Sequence, residues 1–305
     1  MPDLPITEQE NERSRNLDTL TIGDTLALIN DEDQGVPAAV RRELPSILRA
    51  VEGVVERLRQ GGRLIYVGTG TSGRLGVLDA SECPPTYGVP ADLVQGLIAG
   101  GYDACHRAVE ASEDDREAGA RDLQSRGVSA ADAVIGIAAS GRTPYTIGAV
   151  AHARALGAFT AAITCVPGSA ITEAVDVAVV PVVGPEVLAG STRMKAGTAQ
   201  KLVLNMISTT TLIQLGYVRG NRMTNMRARN SKLQERAVRI LQSELRLDQS
   251  AAAAALDAAD GDVATAVVMT RTGRPREAAS EALQRAGGVI EQAIASLSRL
   301  APEAS

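Results

Sequence analysis

The chain has 305 residues, 45% of them hydrophobic and 22% charged, a balance that excludes wholesale disorder and suits one large or two modest globular domains. Its 31 Lys and Arg face 36 Asp and Glu, a net charge of −5, and only 2% of its residues are aromatic, none of them Trp. Nucleic acid is therefore a poor partner, since its binding calls for a basic surface or for aromatic stacking platforms.

Residues 1–36 are polar, punctuated by Pro2, Pro5 and Gly35, and are expected to form an N-terminal arm that orders against a partner surface. The opening lacks the apolar core of a signal peptide, and no apolar run reaches the roughly 18 residues of a membrane span. From Pro37 to Gln60, Val40, Leu44, Ile47, Leu48, Val51, Val54, Val55 and Leu58 recur mostly at steps of three or four, which predicts a helix. Gly61 and Gly62 end it.

Short apolar, often β-branched runs then alternate with helical stretches. Strands are predicted at 64–67, 93–98, 133–137, 160–164 and 175–182, as buried parallel strands read. Helices are predicted at 73–81, 103–111, 115–126, 144–157 and 192–216. The alternation over 37–229 predicts an α/β fold, a doubly wound parallel sheet sandwiched by helices. Beyond Arg229 strand signals cease. Ala-rich segments broken near Leu247 and Asp248, Asp260 and Gly261, and Thr272 to Pro275 predict a C-terminal bundle of three or four helices over 230–305. Cys83, Cys105 and Cys165 form no CxxC, and His106 and His152 are the only histidines. A disulfide scaffold and a metal site are not expected, and a reducing cytoplasm is.

In an open parallel sheet, ligands bind beyond the carboxyl ends of the strands. The first such loop is Gly68-Thr69-Gly70-Thr71-Ser72-Gly73-Arg74. Its glycines permit close backbone approach, Thr71 and Ser72 add hydroxyls, and the following helix offers its N-terminal N–H groups to an anion. Gly68, Gly70 and Gly73 also fit a dinucleotide pattern, but Asp92, near the spacing that would hold a ribose, precedes a strand rather than ending one. The hydroxyl pair favours a phosphate monoester. After the third strand, Ser140, Gly141, Arg142 and Thr143 repeat this chemistry, with Pro144 suited to a first helical position.

This pair of loops resembles the sugar isomerase (SIS) fold, which binds phosphosugars. Longer segments resemble signatures of the N-acetylmuramic acid 6-phosphate etherase family. These are Asp79-Ala80-Ser81-Glu82-Cys83-Pro84-Pro85-Thr86-Tyr87-Gly88 and Ser191-Thr192-Arg193-Met194-Lys195-Ala196-Gly197-Thr198-Ala199-Gln200-Lys201, together with Ile29 to Asp33 and Ala108 to Asp114. The resemblance implies cleavage of the D-lactyl ether of a phosphorylated amino sugar, without metal or redox cofactor, by a homodimer whose sites lie near the subunit interface. It implies that lactate leaves by elimination and water then adds, with Glu82 and Glu113 as the catalytic carboxylates. Glu82 is expected as the acid on lactate and Glu113 as the base at C2.

Read from the residues alone, Glu82 closes a helix that two prolines stop, and a carboxyl packed against Pro and Cys would be desolvated. Glu110 and Glu113 share one face if their segment is helical. The substrate's two anionic groups need counter-charge, for which Arg74, Arg142, Arg193 and Lys195 are the candidates; two of the three lysines fall between Arg193 and Lys201. An aldose–ketose phosphosugar isomerase and a non-catalytic sugar-phosphate sensor are the competing expectations.

Overall fold

The computed structural model describes residues 4–107, 109, 113–226, 228 and 231–299. Their order begins with α1 (Ile22–Asp33), α2 (Val36–Arg42), α3 (Leu44–Arg59), β1 (Leu64–Gly68), α4 (Gly70–Tyr87) and β2 (Val94–Ile98). It continues with α5 (Arg116–Ser125), β3 (Ala133–Ile137), α6 (Pro144–Ala155), β4 (Phe159–Ile163), α7 (Ala170–Glu173), β5 (Val177–Val179) and α8 (Lys195–Gln214). The chain divides into two compact units, one of residues up to Ser81 with Asp92–Thr211, the other of Glu82–Ala91 with the chain from Leu212 onward.

In the first unit the five strands are all parallel, in the order β2-β1-β3-β4-β5. Every residue of β1 and β3 is buried, which is why both read as unbroken apolar runs. Alternate side chains serve opposite faces. Ile65 and Val67 of β1 join Val134, Leu123 of α5, and Tyr145, Ala149, Val150 and Ala153 of α6 in one core. Tyr66 points the other way, toward α4, where its hydroxyl donates to Asp79 at 3.0 Å. The predicted fold class is the observed one.

Local boundaries differ for physical reasons. The helix expected over 37–60 is two, because Pro45 has no N–H to continue the ladder from α2. Helix α4 does not stop at Glu82 but carries Pro84 and Pro85 into its last turn, where the proline φ still suits a helix. The stretch 103–111 is not a helix over its described part: Tyr102–Cys105 is a single 3-10 turn, and residues 108 and 110–112 lie outside the described residues. Glu113 sits in a bend before α5, and Glu110, expected on the same helical face, lies outside the described residues.

The N-terminal segment, expected as an arm that orders against a partner surface, has no buried residue in α1 and is tied to its own chain by polar contacts. Three 3-10 turns lead into α1, which Thr21 caps by accepting from the Asp24 N–H. Asn11 donates to Glu32 at 2.8 Å and to the Pro185 carbonyl at 3.3 Å, and Arg13 reaches Glu32 at 2.8 Å.

The second unit holds α9 (Ser231–Leu245), α10 (Gln249–Ala258), α11 (Val263–Thr272), α12 (Arg276–Arg285) and α13 (Ile290–Arg299). These are five helices rather than three or four, because Gly287 and Gly288, both at positive φ, add a break that composition alone did not mark. Small residues dominate their core, among them Ala237, Ala252, Ala266, Ala279, Ala282 and Ala293, with Leu241 and Val267.

Candidate functional site

Strand order reverses between β1 and β3, the switch point at which open parallel sheets bind ligands. The register pairs Gly68 with Ile137, so the loops leaving these two strands start side by side. Gly73 lets α4 rise close to β1: a Cβ there would stand 2.7 Å from the Gly68 carbonyl oxygen. Thr143 occupies the N-cap position of α6, yet its hydroxyl makes no capping bond and stays available to a ligand. The Ser140 hydroxyl oxygen accepts from the Arg142 N–H at 3.3 Å, which leaves its own proton to donate.

A cavity of about 300 Å³ opens at the end of β1, lined by Gly70, Thr71, Arg74, Glu113, Thr192 and Arg193 among others. That volume is at the small end of ligand pockets. Two guanidinium groups and one carboxylate give the lining a surplus of positive charge, which suits an anionic ligand. Arg74 is held in place by the carbonyls of Cys105 and Arg107, at 3.1 and 3.0 Å. Glu113 is tied through its main chain, whose carbonyl accepts from the Tyr145 N–H at 3.1 Å, and its Oε1 lies where a Cβ on Gly70 would come within 3.3 Å. The bend at Glu113 thereby joins the β1 loop to the first turn of α6.

The other expected residues have different surroundings. Ser72 is buried and its hydroxyl donates to Gln200 Oε1 at 2.9 Å. Ser140, Gly141, Arg142 and Thr143 stand beyond β3 and do not line this cavity. Lys195, expected as a free cation, has a side chain only 4% exposed, with Nζ 2.6 Å from Glu32 Oε2. Burial pushes the Glu32 carboxyl up, but hydrogen bonds from Lys195, Asn11 and Arg13 outweigh it and hold the group below its ordinary range. Glu186, 1% exposed, accepts from the N–H groups of Lys195 and Ala196 at 2.9 Å each, capping α8; burial raises its pKa despite those two bonds. Glu82 is exposed on α4, and Cys83 is the residue that turns inward, so the desolvated setting expected for Glu82 is not found. Among the described residues no three His, Cys, Asp or Glu gather as a metal cage would require.

Gly141 has no tolerance for a side chain. Its φ is +64°, and a Cβ would fall 2.0 Å from Ser169 Oγ and 2.7 Å from Thr164 Oγ1. Gly141→Ala is expected to lower stability by about 2–4 kcal/mol, the sum of left-handed strain and overpacking, as measured by denaturant unfolding. A loss under about 0.5 kcal/mol, the size of an ordinary surface change, would mean that the β3 loop yields freely.

The SIS domain family matches residues 115–210, and the family described as the glucokinase regulatory protein N-terminal SIS domain matches residues 46–154. An N-acetylmuramic acid 6-phosphate etherase of Geobacillus sp. (strain WCH70) is 52% identical over 288 residues, 94% of this chain and 98% of that protein. The protein of the same name from Symbiobacterium thermophilum is 55% identical over 268 residues, 88% of this chain and 89% of its own length. The chain belongs to the N-acetylmuramic acid 6-phosphate etherase family. A solved phosphoheptose isomerase from Neisseria gonorrhoeae is 17% identical, with a TM-score of 0.49 over 63% of this chain and 98% of its own.

Within this etherase-family chain, three parts of the site were not assigned from the sequence. Ser191 and Thr192 line the cavity, although only Arg193 and Lys195 of their segment were singled out for charge. Glu32 and Glu186 act on Lys195 across 163 and nine positions, and the longer pairing leaves no local signal in the chain. Gln200 stands in the Ser191–Lys201 signature without an assigned role.

Proposed function

We propose that this chain cleaves the D-lactyl ether of N-acetylmuramic acid 6-phosphate, giving N-acetylglucosamine 6-phosphate and D-lactate. The observation that carries this reading is identity of about half the residues across 98% of a relative bearing that activity in its name. The sugar reacts in its open form, whose C1 aldehyde acidifies the C2 proton. Glu113 removes that proton, and the electron pair forms the C2–C3 double bond as the C3–O bond breaks. Glu82 gives the departing lactyl oxygen its proton. Water, deprotonated by the same carboxylate, then adds at C3, and C2 regains a proton. Each carboxylate is thereby used as both acid and base across the cycle.

Arg74 and Arg193 supply cations for the phosphate or the lactyl carboxylate, while the β1 and β3 loops supply hydroxyls and helix N-termini. Ser140→Ala is expected to weaken phosphosugar binding by about 1–3 kcal/mol, measured by calorimetry, because its proton would meet a charged oxygen. An unchanged dissociation constant would remove Ser140 from the site.

We assign the chain to the cytoplasm as a homodimer. Support comes from an apolar surface that one chain leaves uncovered: Ile22 and Leu26 on α1, and Leu44 and Leu48 on α3, are all exposed at helical spacing of four. No described helix is long and apolar enough to cross a membrane, and the three cysteines form no disulfide.

The test is D-lactate release from N-acetylmuramic acid 6-phosphate in ¹⁸O-labelled water. Label entering the sugar at C3 is expected. Label in the lactate hydroxyl would mean attack on the lactyl carbon and would end the elimination scheme. Consumption of fructose 6-phosphate with no lactate released from the muramic substrate would favour an isomerase.

A further inference from the structure

Gln200 lies on α8 with its side chain wholly buried, 0% exposed. Its Oε1 accepts the Ser72 hydroxyl at 2.9 Å. Its Nε2 is buried and has no hydrogen-bond partner among the described residues. A buried amide nitrogen that donates to nothing forgoes a hydrogen bond it would make in water, an unfavourable arrangement. Ser72 is itself in an awkward state for a ligand-binding loop. A hydroxyl has one proton, and here that proton is spent on Gln200, so only lone pairs remain to face an anion.

One rotation changes which amide atom Ser72 meets. Turning the Gln200 amide by half a revolution exchanges its oxygen and nitrogen without changing its shape. Nε2 then donates to Ser72 Oγ, Oε1 takes the unpaired place, and the Ser72 proton is released toward the anion. We propose that Gln200 is a positioning residue that switches Ser72 from lone-pair acceptor to proton donor when a phosphate monoester enters the β1 loop. The inference rests on the phosphosugar reading above and deepens it. It names the group that gives the loop hydroxyl its polarity and ties anion recognition to α8, the helix that follows the Ser191–Arg193 lining of the cavity.

Binding of N-acetylglucosamine 6-phosphate, followed by calorimetry, tests the switch in a double-mutant cycle. Gln200→Met keeps the bulk and removes both polar atoms; Ser72→Ala removes the hydroxyl. Gln200→Met is expected to weaken binding roughly tenfold, and in the Ser72→Ala background to change it less than twofold, because Gln200 acts through Ser72. Gln200→Glu can only accept from Ser72 while its carboxyl is ionised, and at a pH where it is charged it is expected to bind more weakly than Gln200→Met. Melting temperatures of all variants separate a folding defect from a binding one. KM should rise with kcat changed less, since the contact is to the phosphate and not to the reacting carbons. Equal losses in both backgrounds, or Gln200→Glu binding as well as wild type, would overturn the proposal. A wild-type protein that binds neither N-acetylglucosamine 6-phosphate nor inorganic phosphate would overturn the phosphosugar reading itself, a result the cycle does not mimic.

Discussion

Glu113→Gln is expected to lower D-lactate release by about 10²–10⁴-fold while the product phosphosugar still binds, the loss that follows removal of a positioned general base. The structure gives the reason for choosing this carboxylate. It lines the cavity at the switch point, and its carbonyl is tied to the first turn of α6. Solvent isotope exchange separates its role from that of Glu82. In D₂O, Glu113→Gln should show neither lactate release nor exchange at C2. Glu82→Gln should also stop lactate release, yet the C2 proton of the substrate should still exchange, because deprotonation precedes departure of the leaving group. The reverse pattern would swap the two roles, and near-normal turnover by Glu113→Gln would move the chemistry out of this cavity.

The parts of this molecule that the sequence discloses are those that local physics controls. Strands β1 and β3 were visible because a parallel strand covered on both faces must be apolar throughout. Their loops were visible because a strand-to-helix turn that admits an anion must be rich in Gly, Ser and Thr. The family signatures carried Glu82 and Glu113, the carboxylates proposed for catalysis, which composition alone would have left as exposed acidic residues. What stayed hidden depends on partners distant in sequence. Lys195 looked like a free cation because nothing near it in the chain announces Glu32. Ser72 looked like a ready phosphate donor, although its proton is held by Gln200, 128 positions away. Helix α4 runs past the Pro84–Pro85 pair to Tyr87, although each proline gives up its own N–H bond to the ladder, so a local stop signal did not end the helix.

Lys195 supplies the other large effect. Lys195→Met is expected to destabilise the fold by about 3–5 kcal/mol, the range seen when one partner of a buried ion pair is removed. The lysine Nζ lies against Glu32, and its charge also offsets the burial of Glu186, whose bond to the residue 195 backbone N–H would survive the substitution. Asn11 and Arg13 would still hold Glu32, which argues for the lower end of that range. If Lys195 instead binds the substrate anion, Lys195→Met would weaken phosphosugar binding at nearly unchanged stability; denaturant unfolding and calorimetry on the same variant distinguish the two. The pair also has a signed dependence on pH. Glu32 is held below its ordinary value of 4.5, so its contribution is complete above that pH and fades as pH falls through the lower folded value. Glu186 has the opposite sign. Its carboxyl is raised by burial, so its ionisation opposes folding at neutral pH, and protonation relieves that penalty on acidification. Unfolding of wild type and Glu32→Gln from pH 7 downward isolates the first effect, because Glu186 is common to both. Their stabilities should converge in acid; a constant gap across the series would mean that the Glu32 charge contributes nothing to holding the N-terminal segment on the body.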